Sequence, residues 1–224
     1  MSLEFLSPAQ SAIARSPMER EARAAGATLE QRDGWNVAVS FDGEQSHLST
    51  VAFADRSQIG KLELNGEHGL ELGIAHPAQS SELSASGSAT GREEAWWCPT
   101  SRQRALVLCE PDQTAALRER LGDGVVDLTS AMGALTIGGP LAGELFARFT
   151  AIDVRPQSMP VLGFRPGSVA RTPGAILREA EDRWLMLFGA ALGSYVWTVV
   201  ADAAASLGGG PVGADLFAGV AASA

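Results

Sequence analysis

Apolar and polar residues alternate along this chain in short blocks, and the first block marks the start of a helix. Ser16, Pro17 and Glu19 stand at the cap, first and third positions of a capping box. We expect the Ser16 hydroxyl to accept from the Glu19 amide, and the Glu19 carboxylate to reach back to the Ser16 amide. Good helix formers follow, and Gly26 suits a left-handed helix end. The pattern predicts a helix over residues 17–25.

Strand patterns dominate the next part of the chain. Residues 35–41 alternate apolar and polar positions, which predicts a strand with one buried face. Residues 51–53 and 61–64 are further short strand candidates, and residues 66–74 are ambiguous. Residues 76–94 are rich in Ser, Ala, Gly and Glu and nearly lack large apolar residues, which predicts a surface loop or linker.

The second half of the chain gives clearer elements. Strands are predicted at residues 105–109 and 134–137, and as a pair at 175–177 and 184–188. Helices are predicted at residues 111–121, from 139 onward, and at 191–207. The order β-α-β, followed by α-β-β-α, predicts mixed sheets with helices on one face, as in ferredoxin-like units.

A weak internal repeat connects the two halves. Segments beginning at Ser57 and Ser130, 73 residues apart, share the pattern Ser-x-(Ile/Met)-Gly-x-Leu-x-(Leu/Ile)-x-Gly. An acidic residue, Asp55 or Asp127, precedes each copy. The repeat predicts two equivalent strands, each entered through a glycine-bearing turn, with chance similarity as the alternative.

Composition narrows the class of protein. The 224 residues are 46% hydrophobic and 19% charged, which is typical of a globular chain with one large domain or two small ones. The net charge is −9, Lys61 is the single lysine, and the arginines are scattered. Since nucleic acids and anionic membranes bind clustered cations, neither is an expected partner.

Cysteine content and hydropathy predict a cytoplasmic location. Cys98 and Cys109 are too few for the disulfide framework of a secreted domain, and residues 1–10 lack the apolar core of a signal peptide. Residues 184–201 carry no charge and approach the length of a transmembrane helix. Because Gly189 and Gly193 interrupt this run, a buried strand followed by a helix is the favoured interpretation.

Recognisable catalytic or metal motifs are weak. Residues 208–213 fit Gly-x-Gly-x-x-Gly, but they follow a helix rather than a strand, which argues against a dinucleotide site. The three histidines and two cysteines lack metal-ligand spacing, so no metal site is expected. A Ser-His-Asp triad stays open, since its members need only meet in space.

Two adjacent tryptophans, Trp96 and Trp97, stand beside the polar 76–94 stretch. Three roles are open to them: packing in the core, anchoring a protein interface, or stacking on a flat ring such as a pterin or flavin.

Several segments together resemble a known superfamily. The helix start at Ser16-Pro17, residues 26–28, residues 54–61 and residues 126–140 resemble glycine-cleavage T-proteins. From Trp96 onward the chain more closely resembles the gamma subunit of heterotetrameric sarcosine oxidases. The carrying segments are 105–108, 138–140, 152–156, 166–172, 178–185 and 195–197. The resemblance covers most of residues 16–207, and the order of the motifs is its strongest feature.

This resemblance implies a fold and its divisions. The fold is α+β, a duplicated ferredoxin-like folate-binding-domain fold as in T-protein, lacking the C-terminal barrel. We expect an N-terminal half over residues 1–95, with the linker at 76–95, and a C-terminal half over 96–207. Residues 208–224 are expected to form a flexible tail, in which Leu216, Phe217 and Val220 stand at helical spacing and could dock on a partner.

Departures from the T-protein pattern bear on catalysis. T-proteins carry a Gly-Gly segment ending in paired aspartates, one of them catalytic. Here residues 173–178 lead directly from Thr172 toward the Glu181-Asp182 turn, and Arg171 replaces the usual Tyr. We therefore assign no catalytic residue.

The resemblance implies a non-catalytic folate-binding-fold subunit or module of one-carbon and sarcosine metabolism. It would associate with oxidase-type subunits or with itself, and tetrahydrofolate is its implied ligand. The alternatives are a tetrahydrofolate-dependent aminomethyltransferase and a stand-alone folate-binding protein. The candidate ligand-binding residues are Trp96, Trp97, Asp153, Arg155 and Arg171. For the last three, pairing as surface charges is the alternative.

Overall fold

The computed structural model describes residues 12–65, 90–92, 95–101 and 104–217. The strands in these ranges are β1 (Ala14–Arg15), β2 (Thr28–Arg32), β3 (Trp35–Ser40), β4 (Ala52–Asp55), β5 (Gly60–Asn65), β6 (Thr90–Arg92), β7 (Ala95–Ser101), β8 (Arg104–Cys109), β9 (Val125–Asp127), β10 (Met132–Gly138), β11 (Phe164–Val169), β12 (Thr172–Ala180), β13 (Arg183–Gly189) and β14 (Gly210–Pro211). The α-helices are α1 (Glu19–Ala24), α2 (Thr114–Leu121), α3 (Ala142–Phe146) and α4 (Gly193–Ala205).

The two large sheets pack face to face with a helical layer outside each of them. One sheet has the strand order β11-β12-β13-β10-β4-β14, and the other has the order β6-β7-β8-β5-β9. Helices α1, α3 and α4 pack on the outer face of the six-stranded sheet, and α2 packs on the outer face of the five-stranded sheet. The inner faces meet through an apolar cluster that includes Ile59, Leu108 and Leu185. This arrangement confirms the predicted α+β class with helices on one face of each sheet.

The predicted repeat is confirmed by an exchange of strands between the two sheets. Strand β4, which precedes the first copy of the repeat, pairs antiparallel with β10 in the second copy, and Asp55 stands opposite Leu135. Strand β9, which precedes the second copy, pairs antiparallel with β5 in the first copy, and Asp127 stands opposite Leu62. Each copy therefore gives its leading strand to the sheet of the other, as expected of a duplicated unit.

The sheets do not divide at the predicted boundary of residue 95. Strands β7, β8 and β9 lie beyond that residue and yet belong to the sheet of β5. After β9 the chain leaves the five-stranded sheet, between Asp127 and Met132, and strands β10 to β14 all belong to the six-stranded sheet. The sequence pattern marked the polar stretch before Trp96 as the boundary, but that stretch ends in β6, which pairs with β7 in the same sheet. Predictions for residues 66–89 lie outside the described residues.

Helix α1 forms where it was predicted, but its cap differs. The Ser16 hydroxyl accepts from the Met18 amide at 3.0 Å and donates to the Asp55 carboxylate. The Glu19 carboxylate instead accepts from Arg23 Nε at 2.9 Å and from Asn36 Nδ2 at 3.2 Å. The capping box was therefore wrong in its partners, because the tertiary fold places the buried Asp55 carboxylate beside Ser16 and the side-chain amide of Asn36 beside Glu19.

Strand β3 is buried on both faces rather than on one. Val37 and Val39 contact Ala214, while Ala38 and Phe41 join the core beneath the six-stranded sheet. The second buried face arises because the C-terminal segment folds back over this strand.

That C-terminal segment corrects the predicted flexible tail over residues 208–217. Strand β14 pairs in parallel with β4, and Val212 and Phe217 are buried against Ala52 and Ala54. Gly213 permits the approach, since a Cβ there would lie 1.8 Å from the Val39 carbonyl oxygen. The apolar residues that predicted a partner-docking patch thus pack on the chain's own body. Residues 218–224, including Val220, lie outside the described residues.

The uncharged run at residues 184–201 folds as predicted, as strand β13 followed by a 3-10 turn and the start of α4. Among the described residues, no helix has both the length and the apolar character that crossing a membrane requires. The cytoplasmic location stays a prediction.

Candidate functional site

Two equivalent turns, one before β5 and one before β10, each bond to the strand that follows the other turn, and we call this pair of contacts the clasp. In the first turn, the Arg56 amide donates to the Ala134 carbonyl at 2.9 Å, and the Ser57 hydroxyl accepts from the Ala134 amide at 3.2 Å. In the second turn, the Leu128 amide donates to the Lys61 carbonyl at 2.8 Å, and the Thr129 hydroxyl accepts from the Lys61 amide at 3.1 Å. The four hydrogen bonds are reciprocal, and they fix the position of both turns.

The acidic residues noted before each repeat shape these turns. Asp55 Oδ1 accepts from the Ser57 amide, and Asp127 Oδ1 accepts from the Thr129 amide, both at 2.9 Å. Each aspartate thereby stabilises the turn two residues ahead of it, which is the usual local role of Asp before a tight turn.

Lys61 is buried at the centre of the clasp. Its Nζ donates to the carbonyls of Ser57 at 2.8 Å, Ile59 at 2.9 Å and Thr129 at 3.3 Å. Burial lowers the pKa of Lys61 to about 8, against the opposing pull of the Asp55 carboxylate. Burial also raises the pKa of Asp55. Since Lys61 has no exposed surface, we interpret it as a structural group that links the two turns.

The first turn also contributes Arg56 to a cluster of buried charged residues. Arg56, Glu179 and Arg183 are all buried. Arg56 Nη2 donates to Glu110 Oε1 at 2.9 Å, and Arg183 Nε donates to Glu179 Oε2 at 3.1 Å. Burial raises the pKa of Glu179, although Arg56 and Arg183 both favour its ionised form. Arg183 Nη2 is buried and has no hydrogen-bond partner within the described part of the chain.

Strands β1, β3 and β2 form a third, small sheet in that order. A polar cavity of about 130 Å³ opens where this small sheet meets the two large ones. The β2–β3 turn, the β4–β5 turn, the residues after β8 and the C-terminal segment contribute its walls. The lining residues are Arg32, Asp33, Val37, Arg56, Gln58, Glu110, Pro111, Ala214 and Asp215. Arg32 bridges Glu30 and Asp215, which ties the C-terminal segment to the rim. We take this cavity as the candidate site.

The sequence matches the family model described as "Sarcosine oxidase, gamma subunit family" over residues 67–206, more than half of its 224 residues. The chain belongs to the sarcosine oxidase gamma subunit family. No curated protein sequence matches it.

Two solved structures share the fold of this gamma-family chain. One is a chain of the heterotetrameric sarcosine oxidase from Corynebacterium sp. U-96, in complex with pyrrole 2-carboxylate. It is 19% identical with a TM-score of 0.65, and the alignment covers 87% of this chain and 96% of that one. The other is the glycine cleavage system aminomethyltransferase T from Bartonella henselae. It is 14% identical with a TM-score of 0.70, and the alignment covers 90% of this chain but 60% of that one. At these identities the likeness shows the fold.

The paired tryptophans of this family member lie on opposite faces of strand β7. Trp97 is 6% exposed and packs with Leu62, Val107 and Leu117 under α2. Trp96 is half-buried against the cluster between the two large sheets. Both rings therefore contribute to packing, and their ligand-binding role stays a prediction.

The three charged candidates lie on the surface of the gamma-type fold. Asp153 accepts from Arg155 Nε at 2.8 Å and Nη2 at 2.6 Å, and these bonds hold the pKa of Asp153 well below its usual range. Arg171 is exposed in the two-residue turn between β11 and β12, where Ala170 and Arg171 have φ of 46° and 62°. None of the five predicted binding residues lines the cavity.

Sequence reasoning missed the residues that do form the cavity. Gln58 lies inside the repeat motif that predicted the turn and Arg56 immediately precedes it, so the motif located this part of the site without revealing its chemistry. Glu179 and Arg183 lie in the family-like segment 178–185, but their burial beside the cavity was not predicted, because charged residues are expected at the surface unless a partner is known.

Proposed function

We propose that this chain is a non-catalytic subunit of a sarcosine-oxidase-type complex, bound to larger flavin- and folate-using subunits. Its family membership supports this role. The 87% and 96% coverage in the alignment with a chain of the Corynebacterium oxidase adds to it, because two chains of nearly equal length then share one fold over almost their whole extent.

The β12–β13 hairpin that follows Arg171 argues against an aminomethyl-transfer centre of the T-protein kind. Strand β12 runs from Thr172 to Ala180 and pairs with β13 from Gly174 to Ala180, with a single register shift between Arg178 and Ala180. The chain thus continues as paired strand at the place where the resemblance would put a loop ending in a catalytic aspartate. A carboxylate must lie within hydrogen-bond reach of the transferred proton to act on it.

Co-expression tests the subunit role. The chain should be expressed untagged with the other sarcosine-oxidase subunits of the same organism, one of which carries an affinity tag. We expect the chain to co-purify with the tagged subunit and to be required for full sarcosine-dependent oxygen uptake. An oxidase that assembles and turns over equally well without the chain would refute the proposal.

A second candidate is folate binding, by a stand-alone module or by an aminomethyltransferase. The fold that this chain shares with the Bartonella aminomethyltransferase, at a TM-score of 0.70, supports this candidate. Five tryptophans provide an intrinsic signal for titration with tetrahydrofolate. Saturable quenching would support this candidate, and no change at high micromolar tetrahydrofolate would exclude it for the isolated chain.

A further inference from the structure

The turn between β11 and β12 has a backbone conformation that its residues do not favour. Its two central residues, Ala170 and Arg171, have φ of 46° and 62°, and they lie between the paired residues Val169 and Thr172. A two-residue hairpin turn with positive φ at both positions is of type I′, which favours Asn and Gly because other side chains crowd the backbone there. Each of the two central residues therefore carries a conformational cost.

The packing of the chain accounts for Ala170 but not for Arg171. Ala170 is 1% exposed and belongs to the apolar core beneath the six-stranded sheet. Arg171 is exposed, and its side chain makes no hydrogen bond or ion pair with the described part of the chain. Backbone strain of this kind is concentrated at functional positions. A partner outside the chain would account for both the strain and the exposure of Arg171.

Three hydrogen bonds hold this turn in place. The Ala170 amide donates to the Phe149 carbonyl, and the Ala170 carbonyl accepts from the Tyr195 hydroxyl, both at 3.0 Å. The Thr172 hydroxyl donates to the Val169 carbonyl at 2.9 Å. The turn is thus a fixed support, so little loop ordering opposes the binding of a partner there.

Tyr195 adds an exposed aromatic side chain beside the arginine. It lies in the first turn of α4 and is 46% exposed. Its hydroxyl bonds to the Ala170 carbonyl, which belongs to the peptide bond that joins Ala170 to Arg171. Tyr and Arg are among the residue types most enriched at the hot spots of protein interfaces. This pair is therefore typical of a point where another protein docks.

The charge of the pair selects an acidic partner. The chain has a net charge of −9, yet among its described residues no carboxylate pairs with Arg171. Glu21, whose carboxylate contacts the start of α4, already accepts from Arg20 and from the Ser194 hydroxyl. Arg171 thus remains available to a carboxylate of another chain, which a guanidinium binds through two parallel hydrogen bonds.

We propose that Arg171 and Tyr195 form a docking point for an acidic segment of a larger oxidase subunit. The Arg171 guanidinium binds a carboxylate of that segment, and the Tyr195 ring shields the ion pair from water. The proposal rests on the subunit role proposed above, and it adds the face that binds and the chemistry that this face recognises.

Biolayer interferometry of the purified full chain on the tagged oxidase subunits tests the proposal. We expect Arg171→Glu to weaken binding by about tenfold or more, which is typical of the loss of a hot-spot arginine. Tyr195→Ala should weaken binding by a similar factor. Arg104→Glu is the matched control, because Arg104 is an exposed arginine in the other large sheet, and its binding should be unchanged.

Arg171→Asn separates docking from folding. Asn suits the positive φ of 62°, so this variant should unfold in urea at the same midpoint as the parent or a higher one, and yet bind about tenfold more weakly. If the parent binds and both Arg171 variants bind as tightly, the docking point is overturned and the subunit role stands. A parent chain that binds no oxidase subunit would overturn both. Weaker binding of Arg171→Asn together with a lower urea midpoint would indicate a structural role and would also overturn the docking point.

Discussion

The reciprocal clasp predicts a specific loss of stability when one hydroxyl is removed. Ser57 is 1% exposed, and its hydroxyl is the acceptor for the buried amide of Ala134. Ser57→Ala would leave that amide without a partner, which costs about 1–3 kcal/mol. Thr129→Val would do the same to the amide of Lys61, and we expect a loss of similar size because the two bonds are equivalent in the repeat.

Urea unfolding followed by tryptophan fluorescence measures this loss. An m-value of about 1–3 kcal/mol/M means that a loss of 2 kcal/mol lowers the unfolding midpoint by roughly 1 M. Ser49→Ala is the matched control, because the Ser49 hydroxyl is exposed and bonds only within its own turn, to the Ser46 carbonyl. That variant should stay within about 0.5 kcal/mol of the parent. If Ser57→Ala were no more destabilising than Ser49→Ala, the clasp would not hold the two halves together.

Two further predictions concern the buried lysine and the C-terminal segment. Since burial lowers the pKa of Lys61 from 10.5 to about 8, the unfolded chain retains a proton between these pH values that the folded chain has released. Stability should therefore rise with pH in that window, by up to about 1.4 kcal/mol per unit, relative to a Lys61→Met variant; parallel stability curves would contradict this. Gly213→Ala should force the C-terminal segment away from Val39 and expose it to limited proteolysis. Gly143→Ala, where a Cβ meets open space, should leave cleavage unchanged, and equal cleavage of the two variants would refute the tight contact.

Much of the fold could be predicted from local sequence patterns. The apolar periodicity located the principal strands and helices, and the repeated Gly and Leu positions around Ser57 and Ser130 indicated a duplication that the sheets confirm. The exchange of β4 and β9 could not be predicted, because the residue pattern of a short strand does not indicate which sheet it joins. The boundary at residue 95 was wrong for the same reason: composition marks a polar stretch but not the sheet on each side of it.

The candidate site was far less predictable than the fold. Arg56 bonds to Glu110, 54 positions further along the chain, and no local pattern connects the two. The C-terminal segment looked like a tail after its glycines, yet Gly213 is what allows it to approach β3 and form one wall of the cavity. In contrast, Asp153 and Arg155 were chosen as candidates because they lie in a family-like motif. They form an ion pair at the surface, which was their alternative interpretation.

Native mass spectrometry of the co-expressed oxidase tests the central claim of subunit membership most directly. If this chain is a gamma-type subunit, the intact assembly should include its 23.3 kDa mass, and that mass should leave as a single polypeptide on collisional dissociation. A complete oxidase assembly that lacks 23.3 kDa, with the chain recovered free in the same sample, would contradict the claim.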